Sequence, residues 1–291
     1  MSVLTDIHGH GGGGHAFGDS VEGTLAAAAA HRAHGTGAMV ASLVSLPLEV
    51  TRRQMDVVRE AMADDAAIIG VHLEGPFLSP ERKGAHALGN LVAPTPEAVD
   101  GLIAAGDGLI RQITIAPELP GALDAIERCV DAGIVVAVGH TEADAALARQ
   151  AFDRGATLLT HGFNAMRGLV GREIGPVGAA LDDDRVSIEL IADGIHLDPA
   201  LIAAVFRAAP GRVVLVTDAM AAAAASDGDY VLGVLAVEVR DGKAVLAGTD
   251  TIAGSTLTLA RAIEVCVAAG VPHAHAVAAA SDVPRAVLGL A

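Results

Sequence analysis

The sequence predicts an α/β chain whose parallel strands alternate with helices and close into a (β/α)8 barrel. Three observations predict it. Apolar, β-rich runs alternate with helical segments eight times along the 291 residues, the pattern of a parallel sheet with crossover helices. Polar groups stand where those runs stop: His8 and His10 end the first, Glu74 the third, His140 the fifth, His161 the sixth and Asp218 the eighth. A closed barrel brings all these ends to one face, where barrel enzymes keep their chemistry. Finally, the glycine run Gly11 to Gly14 lacks the spacing of a dinucleotide-binding fingerprint, which counts against an open doubly wound sheet.

The elements follow in order. Val3 to His10 reads as a strand that the glycine run ends, and Ser20 to His34 as an Ala-rich helix stopped by Gly35. Ala38 to Ser45 is β-rich, Pro47 to Met62 helical, and Ala66 to Leu73 an apolar strand. That strand delivers Glu74 where it must stop, because Gly75-Pro76 cannot continue a ladder. Thr95 is a fitting cap, and Pro96 a fitting first residue, for a helix to Ala105. Leu109 to Ala116 is the fourth strand, Pro120 to Ala132 a helix, and Ile134 to Val138 the fifth strand. Thr141 is read as the cap of a helix from Glu142 to Asp153. The sixth strand is Thr157 to Thr160, followed by a loop from Gly162 to Gly171 and a mixed segment from Arg172 to Leu181. Val186 to Ala192 and Val213 to Thr217 complete the eight, with a helix after Asp198-Pro199 between them. Tyr230 to Leu246 reads as a β-hairpin turning at Asp241-Gly242, an insertion near 229–247 in a single domain over 1–291. Ser255 to Ala269 is a helix, and short helical turns finish the chain.

Composition narrows the function. Hydrophobic residues make up 52% of the chain and mean hydropathy is +0.49, so a sizeable core is expected. Nineteen basic against 35 acidic residues give a net charge of −16, which leaves no basic stripe for nucleic acid. Charges and Gly-Pro punctuation interrupt every apolar run before membrane-span length, and the first residues lack a signal peptide's basic flank and apolar core. No membrane partner and a cytoplasmic location are expected. Cys129 and Cys266 have no metal or redox spacing and read as small buried hydrophobes. Aromatic residues are 2% of the chain, with no Trp, which suits a small ligand better than a polysaccharide needing stacking platforms.

The strand-end residues suit a metal. His8 and His10 lie two apart in a strand, so both imidazoles face one side, with Asp6 in a supporting position. Imidazole with carboxylate favours Zn, Fe or a similar divalent ion over Mg or Ca. Four His and two carboxylates exceed the needs of one tetrahedral site with an open position. Two ions sharing a carboxylate would use the whole set, with Glu74 as the bridge.

These segments resemble the N-acetylglucosamine-6-phosphate deacetylases of the amidohydrolase superfamily. The resemblance runs through Asp-Ile-His-Gly-His from Asp6, His-Leu-Glu-Gly-Pro-Phe from His72 and Lys-Gly-Ala-His from Lys83. It continues through Gly-His-Thr-Glu-Ala from Gly139, Thr-His-Gly-Phe-Asn-Ala-Met from Thr160 and Gly-Arg-Glu-Ile-Gly-Pro from Gly171. Ala-Asp-Gly-Ile-His from Ala192, Val-Thr-Asp-Ala-Met from Val216 and Ala-Gly-Ser-Thr-Leu-Thr from Ala253 complete it. It implies a TIM barrel of the metal-dependent hydrolase type that removes acetate from N-acetylglucosamine 6-phosphate with one or two divalent ions per chain. It further implies a homodimer.

By resemblance, Glu74, His140 and His161 hold the main ion, and His8 and His10 a second. Asp218 is the general base and His86 stabilises the oxyanion. Asn164, Ala165, Arg172 and His196 bind the sugar phosphate, some of them from a second subunit. The family's small β-sandwich, formed by segments before and after the barrel, is expected to be mostly missing from this chain. Two other readings stay open at this point: an amidohydrolase acting on another N-acyl group or cyclic amide, and a non-catalytic barrel that binds a sugar phosphate.

Overall fold

A computed structural model describes residues 3–290. Eight parallel strands form one sheet in chain order: β1 Leu4–Gly9, β2 Thr36–Val44, β3 Ile68–Glu74, β4 Ile110–Ile115, β5 Val135–Val138, β6 Leu158–Leu159, β7 Ser187–Ile191 and β8 Val213–Val216. Helices α1 Val21–Ala33, α2 Leu48–Asp64, α3 Pro96–Gly106, α4 Ala122–Asp131, α5 Ala145–Asp153, α6 Gly175–Leu181 and α7 Pro199–Ala208 make the crossovers. The strands are buried almost throughout, as in the Val-Val-Leu-Val of β8, because both faces of a barrel sheet are covered. The expected (β/α)8 barrel is therefore present.

The barrel closes without a ladder between β1 and β8 among the described residues. Asp218 N–H donates to the His8 carbonyl at 2.8 Å. Beside it the Asp6 carboxylate accepts the Thr217 hydroxyl at 2.6 Å and the Thr217 N–H at 3.3 Å. Asp6 is fully buried, and burial pushes its carboxyl up from the ordinary range against the pull of His31 and these hydrogen bonds. The supporting position read for Asp6 is this seam. At the far end of the barrel, Thr5 N–H bonds the Ala280 carbonyl at 2.8 Å, in the stretch joining α9 (His273–Ala279) to α10 (Asp282–Val287).

Local signals explain most boundaries. Thr95 accepts the Ala98 N–H at 3.3 Å and Pro96 starts α3. Asp198 caps α7 through the Ala200 N–H at 2.7 Å. Two helix starts differ from expectation. Thr141 does not cap α5; its hydroxyl donates to Glu118 at 2.5 Å, and Asp144 accepts the Leu147 N–H instead. Thr141 also bridges in parallel to Met166, which prolongs the sheet beyond β5 and delays the helix. Likewise Ser255 bridges to Ala219, so α8 spans Leu259–Ala268 with Thr258 as its cap.

The expected hairpin has a third strand. β9 Gly228–Leu232, β10 Leu235–Arg240 and β11 Lys243–Leu246 form an antiparallel sheet. Asp241 and Gly242 both have positive φ, 52° and 73°, as a tight primed turn requires. A further turn at Gly233-Val234 adds β9. Under this sheet sits a small apolar cluster of Met220, Leu232, Val237 and Val239, separate from the large core inside and around the barrel. The glycine run forms a short antiparallel ribbon, Gly11–Gly12 with His15–Ala16, that the sequence pattern did not suggest. No helix among the described residues is long and apolar enough to cross a membrane.

Candidate active site

The strand ends converge. Glu74, last in β3, is buried and stands at the centre. Its Oε1 lies 3.1 Å from Nε2 of both His140 and His161, and 3.4 Å from His8 Nε2. Its Oε2 lies 3.2 Å from His10 Nε2 and 3.1 Å from His86 Nε2. Asp218 Oδ1 is 3.2 Å from His10 Nε2 and 3.5 Å from His8 Nε2. Seven side chains read from the sequence thus meet in one cluster: His8, His10, Glu74, His86, His140, His161 and Asp218.

Non-glycine backbone in the left-handed region makes this convergence. His140, His161 and Asp218 have φ of 48°, 27° and 47°. For such residues this conformation is unfavourable and concentrates at functional sites. Here it falls two residues beyond the ends of β5, β6 and β8 and turns the chain, so that the side chains meet at the barrel mouth.

Hydrogen bonds behind the rings fix their tautomers. His8 Nδ1 donates to Glu189 Oε2 at 2.9 Å, His10 Nδ1 to the Ser42 carbonyl at 3.2 Å, and His140 Nδ1 to the Arg82 carbonyl at 2.7 Å. Each turns Nε2 toward the centre, where it offers a lone pair once the ring is neutral. His86 is the opposite case. Its Nδ1 accepts the Ser45 N–H at 3.3 Å, so its proton sits on Nε2.

The electrostatics agree. Burial opposes charge on His8, but Glu189, Glu74 and Asp218 outweigh it and hold the imidazole well above its ordinary value. His10 is raised to about 9, burial again being overcome by Asp218 and Glu74. Despite burial, the surrounding imidazoles hold Glu74 well below the carboxylate range, and His8 with His10 holds Asp218 below it. Burial keeps His86 low, and burial with the neighbouring His8 keeps His72 well below its usual value. Carboxylates that draw protons onto two sealed imidazoles make a pocket that calls for positive charge.

The donor atoms form two groups compatible with metal: Glu74, His140 and His161, and His8, His10, Glu74 and Asp218. Within each, the candidate ligand atoms lie within 4.8 Å of one another, close enough to contract onto an ion at bonds near ~2 Å. His8 Nε2 is buried without a hydrogen-bond partner, a costly state unless an ion takes its lone pair. The residues therefore fit a divalent ion.

A cavity of about 370 Å³ opens above the cluster, and His10, Glu74, His86, His140, His161 and Asp218 line it. Asn164, Ala165 and His196 line it too. Asn164 braces the loop, its side chain donating to the carbonyls of His161 and Gly162, while its N–H returns to the His161 carbonyl. His196 is oriented by Asp193, which accepts its Nδ1 proton at 2.7 Å. Arg172 is exposed at the tip of the tight turn between Val170 and Glu173 and does not line this cavity.

Sequence reasoning missed a polar layer below the ligands. Glu189 in β7 is fully buried and binds His8, the His161 N–H and Gln112. His72, fully buried, links Ser42 to Thr114 at 2.9 Å on each side, and Thr114 reaches Thr160 at 2.9 Å. The available signal was a carboxylate inside the otherwise apolar run Ile188-Glu189-Leu190-Ile191.

The sequence matches the amidohydrolase family over residues 4–291. It is 37% identical over 290 residues to the N-acetylgalactosamine-6-phosphate deacetylase of Escherichia coli O157:H7, covering 98% of this chain and 77% of that one. It is 37% identical over 303 residues to the N-acetylglucosamine-6-phosphate deacetylase of Bos taurus, covering 98% and 73%. A solved structure of the Mycobacterium smegmatis N-acetyl-D-glucosamine-6-phosphate deacetylase, an aspartate-to-alanine mutant in complex with N-acetyl-D-glucosamine-6-phosphate, is 44% identical with a TM-score of 0.94. That match covers 99% of this chain and 77% of the other. With a family match over nearly all of its length and a His, Glu and Asp cluster at its strand ends, the chain belongs to the amidohydrolase family.

Proposed function

We propose that this protein hydrolyses the acetamide of N-acetylglucosamine 6-phosphate to glucosamine 6-phosphate and acetate, using one or two divalent ions of the zinc or iron kind. The observation that carries this reading is the shared carboxylate: Glu74 belongs to both ligand groups, at the floor of a cavity of about 370 Å³. That volume is of the order that small-molecule sites use.

Glu74, His140 and His161 would hold one ion, and His8, His10 and Asp218, with Glu74 shared, the other. A divalent ion supplies an acidified water and polarises a carbonyl, which an unreactive amide needs. The chain's own groups do the rest. Asp218, held ionised by its two imidazole neighbours, accepts a proton from the attacking water. It returns that proton to the nitrogen, since an amine cannot leave as an anion. His86 is kept neutral by burial with its proton on Nε2, and it donates to the oxygen that gains charge in the transition state.

His196, Asn164 and Ala165 line the cavity and position the sugar phosphate. Arg172, exposed outside its own cavity, serves the phosphate from the second subunit of a homodimer. The barrel and its three-stranded sheet act as one domain, in the cytoplasm.

One observation favours a second substrate. A relative that matches 98% of this chain bears the name of the galacto deacetylase, so N-acetylgalactosamine 6-phosphate is the alternative. The test measures acetate release from both phosphorylated sugars and from N-acetylglucosamine itself, with metal-loaded and chelator-treated protein. We expect release from the gluco phosphate, lost with chelator and restored by Zn²⁺ or Fe²⁺. Arg172→Ala should lower kcat/KM on it about 10–100-fold, the worth of one charged hydrogen bond, and leave the unphosphorylated sugar unaffected. Metal-loaded protein that releases acetate from neither phosphate overturns the proposal.

A further inference from the structure

Glu189 is a carboxylate of the barrel interior that neither lines the cavity nor pairs with a Lys or Arg among the described residues, and unlike Asp6, which closes the seam to Thr217, it bonds a ring nitrogen of the strand-end cluster. It is fully buried in β7. One oxygen, Oε2, accepts both the His8 Nδ1 proton at 2.9 Å and the His161 backbone N–H at 3.1 Å. The other, Oε1, accepts from Gln112 Nε2 at 2.8 Å. A buried carboxylate is expensive, and an apolar side chain of similar volume would usually pack at least as well. Its position is therefore best explained by what it does to His8.

We propose that Glu189 is a positioning residue that makes His8 a metal ligand and ties that ligand to the backbone turn carrying His161. The inference rests on the reading of the strand-end cluster as a metal centre. The carboxylate fixes the proton on Nδ1, so the Nε2 lone pair faces Glu74 and Asp218 at 3.4 and 3.5 Å. It also makes the imidazole a stronger donor, since an outer carboxylate raises the basicity of a ligating histidine. Because the same oxygen holds the N–H of His161, a left-handed residue with φ 27°, the two ligand groups share a support as well as Glu74.

The test is Glu189→Gln. The amide keeps the shape, and its oxygen still accepts from His8 and His161. Its NH2 group meets Gln112, whose Oε1 has no partner and turns to accept. Only the charge is removed. Chelator-stripped protein is titrated with Co²⁺, and the visible absorption of each bound ion is followed. Wild type should take up two ions. The variant should bind one of them about 10–100-fold more weakly, as loss of an outer-shell partner does, with a changed spectrum for that ion. The other ion and the melting temperature of the stripped protein should stay as in wild type, and acetate release should return with excess metal. Equal weakening of both ions, or of neither, overturns the inference and leaves the metal centre standing. Wild type that binds no Co²⁺, or only one, overturns the two-ion reading and this inference with it. If Glu189→Gln does not fold, Glu189→Asp is read in the same way, since the shorter carboxylate withdraws from His8 while keeping its charge.

Discussion

The two halves of the cluster share Glu74 but are built differently. The His8/His10 half is rich in charge: Glu74, Asp218 and Glu189 surround it, both Nδ1 protons are pinned, and His8 is wholly sealed from solvent. The His140/His161 half has Glu74 alone as its anion, both rings line the cavity, and His161 Nδ1 has no partner. Both of its histidines sit in left-handed backbone, whereas His8 lies within β1. The first half is therefore held by side-chain electrostatics, and the second by the geometry of strand ends. Ion affinity should depend on charge in the first and on backbone shape in the second.

The largest effect should come from Asp218, which joins the two properties: it belongs to the charged half, lines the cavity and has left-handed backbone. Asp218→Asn keeps the shape but cannot accept a proton. Acetate release should fall by about 10²–10⁴, the usual worth of a positioned general base, while sugar-phosphate binding survives. Equal turnover by mutant and wild type would remove Asp218 from the base role.

Next in size are the paired ligand deletions. His8→Ala with His10→Ala should remove one ion per chain and leave the other. His140→Ala with His161→Ala should remove the other and cost activity by more than the 10–100-fold typical of outer-shell changes. Metal analysis of the purified variants decides. If the first pair leaves stoichiometry unchanged, the His8/His10 half is not an ion site and the comparison fails.

The outline of this site was legible in the sequence because barrel topology turns a one-dimensional property, position at or just past the end of a strand, into a shared location. His8, His10, Glu74, His140, His161 and Asp218 needed only strand ends to be found, and those ends are marked by Gly, Pro or an abrupt change in polarity. Glu189 was legible only as a carboxylate in an apolar strand, not as a partner of His8. It lies mid-strand, and nothing in Ser-Ile-Glu-Leu-Ile tells which face of the sheet a residue meets or what lies across the barrel from it. Thr141 misled because its hydroxyl found Glu118, a partner 23 residues away, instead of the helix it precedes. The third strand of the small sheet was missed because Gly233-Val234 is a weaker turn signal than Asp241-Gly242. Arg172 was legible as a motif residue, but its placement outside the cavity depends on the fold of a loop that periodicity does not describe.

The smallest expected effects, and the finest probe of the difference between the halves, come from two glycines that abut one half each. A methyl group on Gly12 would meet the buried His31 ring at 2.8 Å, and His31 Nε2 bonds the Gly11 carbonyl at 2.9 Å. Gly12→Ala should therefore push the glycine ribbon, and with it the chain leaving His10, away from α1. Such overpacking typically costs about 1–3 kcal/mol. A methyl group on Gly84 would meet His140 Cε1 at 3.1 Å, and Gly84 has φ of 54°, where a side chain costs roughly 1–2 kcal/mol. Both variants should melt a few degrees below wild type, since 1 kcal/mol moves the midpoint of a domain this large by only about 2–4 °C. Their effects on metal should separate. Gly12→Ala should weaken only the ion at His8 and His10, because the ribbon follows directly on His10 in the chain. Gly84→Ala should weaken only the ion at His140, because the crowded atom belongs to that ring and its neighbour Arg82 holds the ring's Nδ1. Calorimetric titration of each stripped variant with Zn²⁺ reads the two steps. If either substitution weakens both ions to the same degree, the halves behave as a single unit coupled through Glu74, and the division into a charge-held and a backbone-held half is wrong.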